Sequence, residues 1–254
     1  MFGWLKNRRR RRLASRPFPE AWEDFAEQNV AHIALLSGEE YTRLQEWIQI
    51  FIAEKYWEGY DGLEITEEMQ VVIAAQAGFM VRGMRDYYFE HLRSILVYPR
   101  IIWRTGAVHG GVVIEDPTAR LGEALQSGPV TLVWPHVLDG ARSATEGRNV
   151  VFHEFAHVLD CEDQFSDGTP RLHSKEMYER WNETMHAEYQ ALIQAARQGR
   201  STLIDPYGAT NIAEFFAVST ECFFEQPRLM VHRHPEWFAL LSEFYRVNPL
   251  ESIS

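Results

Sequence analysis

The order of apolar and polar residues along the chain predicts mostly helix. Leu44, Ile48 and Phe51 recur at the three- and four-residue spacing of one helical face. Ser37 stands before this run and Glu40 follows it after three residues, which is the capping-box pattern of a helix start. The same criteria predict further helices at residues 66–83, 150–159, 174–198, 211–225 and 235–245.

Three short β-branched runs bounded by turn residues predict strands, at residues 94–99, 111–114 and 128–135. The last of them contains residues 131–134, which we interpret as an edge strand able to pair with an extended peptide. The predicted fold class is therefore α+β, with a small β-sheet packed on a mostly helical body. No linker divides residues 16–254, so they are predicted to form a single domain.

The N-terminus combines Phe2, Trp4 and Leu5 with the arginine run at 8–12. A secretory signal would place its charges before an apolar stretch, and here the order is reversed. No run reaches the roughly 18 apolar residues that a transmembrane segment needs. Residues 1–15 are therefore predicted to be a basic, flexible tail. Docking of this tail to an anionic lipid or an acidic partner is the alternative.

Composition narrows the functional classes. A hydrophobic fraction of 46% with 13% aromatic residues predicts a well-filled core. A net charge of −11 argues against direct nucleic-acid binding, which needs clustered cations. The two cysteines, Cys161 and Cys222, predict reduced thiols in a cytoplasmic protein. Cys161 follows His157 by four residues, so a soft metal ligand there is a minor alternative.

His153, Glu154 and His157 form an H-E-x-x-H motif within a predicted helix. Residues four apart lie on one helical face, so both imidazoles can reach one metal ion. Glu154 is turned away by about 100° and can accept a proton from the attacking water. The alternative is a pair of buried, hydrogen-bonded histidines without a metal.

A catalytic zinc site needs a third protein ligand and an open position. The pattern H-E-x-x-H-x-x-G-x-x-H is absent, because Asp160 and Asp163 occupy its last two places. Glu214 is the leading candidate, since it lies in an otherwise apolar helix where an unpaired carboxylate is unfavourable. An exposed Glu214 is the alternative, and Glu162 or Asp163 would then be the next candidates for the ligand.

Two further carboxylates, Asp160 and Glu221, lie one or two turns from a candidate ligand and could orient an imidazole. Each could equally be a surface carboxylate. The other histidines with no spacing that links them to the motif are interpreted as ordinary surface or core residues: His136, His173, His186, His232 and His234.

Three segments together resemble the Mlc titration factor A family of bacterial zinc metallopeptidases, whose catalytic core is similar to the anthrax lethal factor type. They are Gly-Pro-Val-Thr-Leu-Val-Trp at 128–134, His-Glu-Phe-Ala-His-Val-Leu-Asp at 153–160, and Asp-Pro-Tyr-Gly-Ala-Thr-Asn-Ile-Ala-Glu-Phe-Phe-Ala-Val at 205–218. The likeness extends to residues 221–225 and 244–246 and is looser before about residue 90.

The resemblance implies a gluzincin-like site with one Zn2+ per chain. It assigns His153, His157 and Glu214 as metal ligands and Glu154 as the general base. It also assigns Tyr207, in a predicted turn, as the donor of a hydrogen bond to the developing oxyanion. A cytosolic location is implied as well.

The expected function is hydrolysis of peptide substrates, with an aminopeptidase-like preference implied by the resemblance. A binding function is the rival, because the family is named for sequestering the transcriptional repressor Mlc and so affecting glucose-transport genes. A zinc-containing protein without catalysis is the third possibility. It would leave Glu154 and Tyr207 without a role.

Overall fold

The computed structural model describes residues 2–100 and 128–251, which form the predicted mostly helical α+β domain. The α-helices are α1 (Phe2–Ala14), α2 (Glu20–Asn29), α3 (Gly38–Glu54), α4 (Glu67–Met80), α5 (Trp134–Arg142), α6 (Val150–Asp160), α7 (Lys175–Arg197), α8 (Ile212–Glu225), α9 (Pro227–Arg233) and α10 (Pro235–Tyr245). Short 3₁₀ helices occupy Ala31–Leu35, Cys161–Asp163 and Pro206–Ala209.

The sheet has three parallel strands in the order β1 (Tyr56–Gly59), β2 (Ser94–Tyr98) and β3 (Val130–Val133). Strand β1 was not predicted, because its four residues carry no clear alternation of apolar and polar side chains. The strand predicted at 111–114 lies outside the described residues. Within the described ranges β3 pairs with β2 alone, so it lies at an edge as predicted.

Strand β3 ends at Val133, two residues before the predicted end. Trp134 already begins α5, and Pro135 occupies its first turn, where a residue without an amide hydrogen is tolerated. The chain therefore passes from the sheet edge directly into a helix.

Residues 2–14 form helix α1, which differs from the predicted flexible tail. Arg10 is 9% exposed and docks this helix on the domain. Its guanidinium donates to Glu54 at 2.8 and 2.6 Å and to Glu90 at 2.9 Å. A run of arginines predicts a solvated segment when the sequence is considered alone. The carboxylates that bury Arg10 come from distant parts of the chain, so the sequence pattern does not reveal them.

Helices α6 and α8 lie at the centre of the fold. Phe152 and Phe155 of α6 are fully buried. Phe152 packs with the rings of Phe79 in α4 and Phe224 in α8, and Phe155 packs with the ring of Phe89. Helix α8 is buried on every side from Ala213 to its last residue. Its apolar character does not make it a membrane segment: in the described part of the chain no helix is both long and apolar enough to cross a bilayer.

Candidate metal centre

Helix α6 holds the two motif histidines on one face. Asn149 starts the helix, and its side-chain oxygen accepts hydrogen bonds from the amides of Val151 and Phe152 at 3.0 and 3.1 Å. The helix is anchored in the core by its buried aromatic face, which leaves His153 and His157 half-buried on the side that faces α8. The local sequence therefore places both imidazoles on one face of the helix.

Helix α8 brings Glu214 to the same place. Asn211 caps this helix and accepts a hydrogen bond from the amide of Glu214 at 2.9 Å. The Glu214 side chain lies in the first turn and the residue is only 8% exposed. Glu214 is therefore buried within an apolar helix, as the sequence predicts, and is not exposed.

The three candidate ligand atoms lie close together. His153 Nε2 is 3.2 Å from His157 Nε2 and 3.0 Å from Glu214 Oε2, and the last two atoms are 3.5 Å apart. Zinc bonds of about 2.0–2.1 Å in a tetrahedron place neighbouring ligand atoms about 3.3 Å apart. The triangle therefore has the size of one face of a zinc coordination sphere, and the residues fit the metal.

Glu221 settles which nitrogen of His153 faces this triangle. One carboxylate oxygen lies 2.8 Å from His153 Nδ1, and the other accepts a hydrogen bond from the amide of Asn149. A carboxylate only accepts, so Nδ1 carries the hydrogen and Nε2 is the nitrogen that faces Glu214. A proton on Nε2 or a metal ion can join this nitrogen to the Glu214 carboxylate.

The pKa values around the site follow from the same arrangement. Burial lowers the pKa of His153, but its contacts with Glu214 and Glu221 outweigh burial and raise the pKa well above 6.5. Burial raises the pKa of Glu214, but the two imidazoles outweigh it and lower the value to about 2. The three side chains therefore favour positive charge between them, whether it is a proton on His153 or a metal ion.

Glu154 and Tyr207 flank the triangle. Glu154 is half-buried beside His153, and its charge contributes to the raised pKa of that imidazole. Tyr207 is 46% exposed, and its ring centroid lies 6.1 Å from that of His153.

The turn that carries Tyr207 is held by a hydrogen bond of 2.9 Å, which the Tyr207 amide donates to Asp205 Oδ1. Gly208 lets the turn approach α8, because a Cβ there would lie 2.7 Å from a methyl of Val218.

The alternative third ligands are engaged elsewhere. Glu162 accepts a hydrogen bond from the hydroxyl of Tyr87, and Asp163 accepts one from the amide of Phe165 at 3.0 Å. Burial raises the pKa of the Cys161 thiol, which disfavours the thiolate that metal binding needs. Within 2–100 and 128–251, the His, Cys, Asp and Glu side chains that converge as a possible metal site are His153, His157 and Glu214.

Asp160 and Glu221, the two predicted orienting carboxylates, have different surroundings. Glu221 contacts the ligand imidazole directly, as described above. Asp160 is fully buried, accepts a hydrogen bond from the Ser166 hydroxyl at 3.3 Å, and interacts with His157 only through its charge. Burial raises the pKa of Asp160 to about 6. Its orienting role stays a prediction.

A buried polar cluster behind the site is not predicted by the sequence patterns. Asn149 Nδ2 donates to Gln76 at 2.9 Å and lies 3.4 Å from Glu225, whose carboxylate also accepts from the Gly147 amide and lies 3.3 Å from His32 Nε2. An asparagine before an apolar helical run is an N-cap signal that could have identified Asn149. His32 and Gln76 carry no such signal, because only packing buries them.

The chain is similar in sequence to known metallopeptidase-family proteins. A sequence model of the family described as glucose-regulated metallo-peptidase M90 matches residues 4–246. The protein named slr2042 of Synechocystis is 36% identical, with 97% of this chain and 90% of that protein covered. Proteins named Mlc titration factor A are 30% identical in Edwardsiella ictaluri (94% and 90% covered) and 31% identical in Klebsiella pneumoniae (86% and 83%). The resemblance noted in the sequence is confirmed.

Proposed function

The chain belongs to the glucose-regulated metallo-peptidase M90 family, and we propose that it hydrolyses peptide bonds with one Zn2+ held by His153, His157 and Glu214. The convergence of three possible ligand atoms within 3.0–3.5 Å of one another carries the proposal. Two imidazoles and a carboxylate suit zinc better than calcium or magnesium, which prefer oxygen ligands. Three protein ligands also leave the fourth position open, as catalysis requires.

In the proposed reaction, Glu154 transfers the proton and Tyr207 stabilises the oxyanion. Zinc, when bound, lowers the pKa of water and polarises a carbonyl group. Glu154 accepts the proton of the attacking water as the oxygen bonds to the scissile carbonyl carbon. The same carboxyl then gives that proton to the leaving amine nitrogen as the carbon–nitrogen bond breaks. The hydroxyl of Tyr207 donates a hydrogen bond to the oxyanion that develops on the carbonyl oxygen.

Glu221 acts on the ligand and not on the substrate. By holding His153 Nδ1–H, it fixes the ring in the orientation that aims Nε2 at the metal and increases the basicity of that nitrogen. Its second oxygen binds the first amide before α6, so the ring and its helix are positioned by one carboxylate. The ligand geometry is therefore rigid before substrate arrives.

We propose short peptides as substrates, attacked from their amino end. The aminopeptidase preference rests on the family resemblance. Among the described residues no strand pairs with the outer edge of β3, and this supports peptide binding, because an extended chain can add there as a further strand. Strand β3 leads directly into α5 and contacts α6, so a peptide on this edge would lie near the metal helix.

A second candidate function is capture of a repressor of the Mlc type. The name of two relatives, Mlc titration factor A, favours it. Capture depends on a complementary surface and not on proton transfer, so it is compatible with peptidase activity. The two functions can be separated by variants that stop only the chemistry.

Metal removal tests the peptidase proposal. The purified protein should contain one zinc per chain and cleave short peptides, and a chelator should abolish cleavage by removing the metal. One equivalent of Zn2+ should restore activity. Peptides acetylated at the amino terminus should be cleaved more slowly than free ones if the enzyme is an aminopeptidase. Full activity in protein shown to be free of metal would refute the proposal.

A further inference from the structure

Helix α1 concentrates positive charge on an acidic protein. It contains Lys6 and the five arginines at 8–12 and no acidic residue, a charge of +6. The whole chain carries −11, so the remainder carries −11 − 6 = −17. This helix therefore has the opposite sign to the rest of the molecule.

Among the described residues, the helix contacts the domain through three of its six cations: Lys6, Arg9 and Arg10. Arg10 is held by Glu54 and Glu90, and its guanidinium stacks over the ring of Tyr88 at 4.0 Å from the centroid. Arg9 adds a hydrogen bond to the carbonyl of Ala53 at 3.1 Å. Because this side faces the protein, the opposite side is presented to solvent in a defined orientation.

The outward side combines exposed apolar groups with exposed cations. Trp4 is 65% exposed and Leu5 is 55% exposed, and the guanidinium of Arg8 lies 5.6 Å from the centroid of the Trp4 ring. Arg11 and Arg12 are exposed as well. No carboxylate of the described residues forms an ion pair with Arg8, Arg11 or Arg12, so the charge of these three is not neutralised by the protein.

The surface continues beyond α1. Leu5, Lys6 and Arg9 line an open groove together with Tyr56 and Arg93 from the adjoining β1 and β2 region. Tyr56 is 62% exposed although it begins a strand. Glu54 and Glu90 also line the groove, and both are paired with Arg10 there. Aromatic, aliphatic and basic groups thus occur together on one side of the molecule.

We propose that α1 docks the protein reversibly on an anionic lipid bilayer surface. Arginine side chains bind lipid phosphates, while tryptophan and leucine enter the boundary between headgroups and acyl chains. Stable peripheral binding needs two such signals, and α1 supplies both. Arg8, Arg11 and Arg12 form the basic part, and Trp4 and Leu5 form the apolar part. The carboxylates nearest to the helix, Glu54 and Glu90, are already paired with Arg10.

A lipid surface fits better than nucleic acid. Nucleic acid binding depends on phosphate contacts spread along a groove, and its affinity does not require an exposed tryptophan and leucine at the tip of a helix. A bilayer interface rewards burial of those two side chains. Nucleic acid is nevertheless an outcome that the experiment distinguishes.

Vesicle co-sedimentation with the full chain tests the proposal. The vesicles are phosphatidylcholine alone or phosphatidylcholine with about 30% phosphatidylglycerol, which carries the anionic charge. Wild type should bind the anionic vesicles alone and be released by high salt. The variant Arg8→Ala/Arg11→Ala/Arg12→Ala should lower the partition coefficient roughly 100-fold, about fivefold per cation. Trp4→Ala/Leu5→Ala should lower it roughly tenfold.

A matched variant controls for net charge. Arg43→Ala/Lys175→Ala/Arg180→Ala removes three exposed cations elsewhere and should bind vesicles as wild type does. Circular dichroism and thermal unfolding of each variant check that the fold is retained. Equal losses in the two triple variants, equal binding to neutral and anionic vesicles, or binding to an RNA oligonucleotide without binding to vesicles would each overturn the proposal.

Discussion

Glu221 lies 2.8 Å from Nδ1 of His153. Its second carboxylate oxygen accepts a hydrogen bond from the amide of Asn149, the N-cap residue of the helix that carries this histidine. The two residues are 68 positions apart in sequence. One buried carboxylate on α8 therefore sets the tautomer and orientation of a candidate metal ligand on α6. Neither feature depends on the H-E-x-x-H spacing.

Replacing Glu221 with glutamine should weaken zinc binding by about 10- to 100-fold, the usual cost of losing a partner of this kind. The amide keeps the size of the side chain but loses the charge, and one of its two ends is a donor that would face either the Asn149 amide or His153 Nδ1–H. Competition with a chromophoric chelator measures the zinc affinity of the purified variant.

The control for this variant is Glu188→Gln. Glu188 lies 2.7 Å from Nδ1 of His234, so it forms the same kind of pair without contacting the candidate ligands. It should leave zinc affinity unchanged. Wild-type affinity in Glu221→Gln would mean that His153 does not need this partner.

Replacing Glu214 with alanine should remove most of the bound zinc, because only two protein ligands would remain. Elemental analysis of the purified protein gives the stoichiometry. Glu162→Ala is the control: its carboxylate is also partly buried but is bonded to Tyr87, and this variant should keep one zinc. Full zinc in Glu214→Ala would place the third ligand elsewhere.

Replacing Glu154 with glutamine should nearly abolish peptide cleavage and leave zinc content and thermal stability unchanged. Glu154 is not among the converging ligand atoms, and loss of a general base typically lowers the rate about 10²–10⁴-fold. Any stoichiometric capture of a repressor should persist, and a pull-down with a candidate repressor checks this. Cleavage at the wild-type rate would rule out the proposed role of Glu154 as the base.

Replacing Tyr207 with phenylalanine should lower kcat by roughly 10²–10³-fold, the usual effect of losing one oxyanion donor. The ring remains, so zinc content and folding should not change. Tyr60→Phe is a suitable control, since Tyr60 stacks on Tyr98 beside the sheet and takes no part in the proposed reaction. An unchanged kcat in Tyr207→Phe would make Tyr207 a residue of the turn and nothing more.

The sequence by itself determined the local features of this protein. The capping box of α3, the apolar run of α4 and the H-E-x-x-H spacing of α6 depend on side chains within a few turns of one another. Helical periodicity alone places His153 and His157 on one face. The α+β class followed from the same local patterns, and the resemblance carried by three short segments identified the family.

Tertiary structure decided which distant groups meet. Packing of α8 against α6 brings Glu214 and Glu221 to the two nitrogens of His153. Likewise, Arg10 anchors α1 because Glu54 and Glu90 come together beside it, while the flanking arginines stay exposed. Sequence periodicity records which face of a helix is apolar, but not which helix will cover it. The partners of a buried charge depend on that packing, so they become visible only in the folded chain.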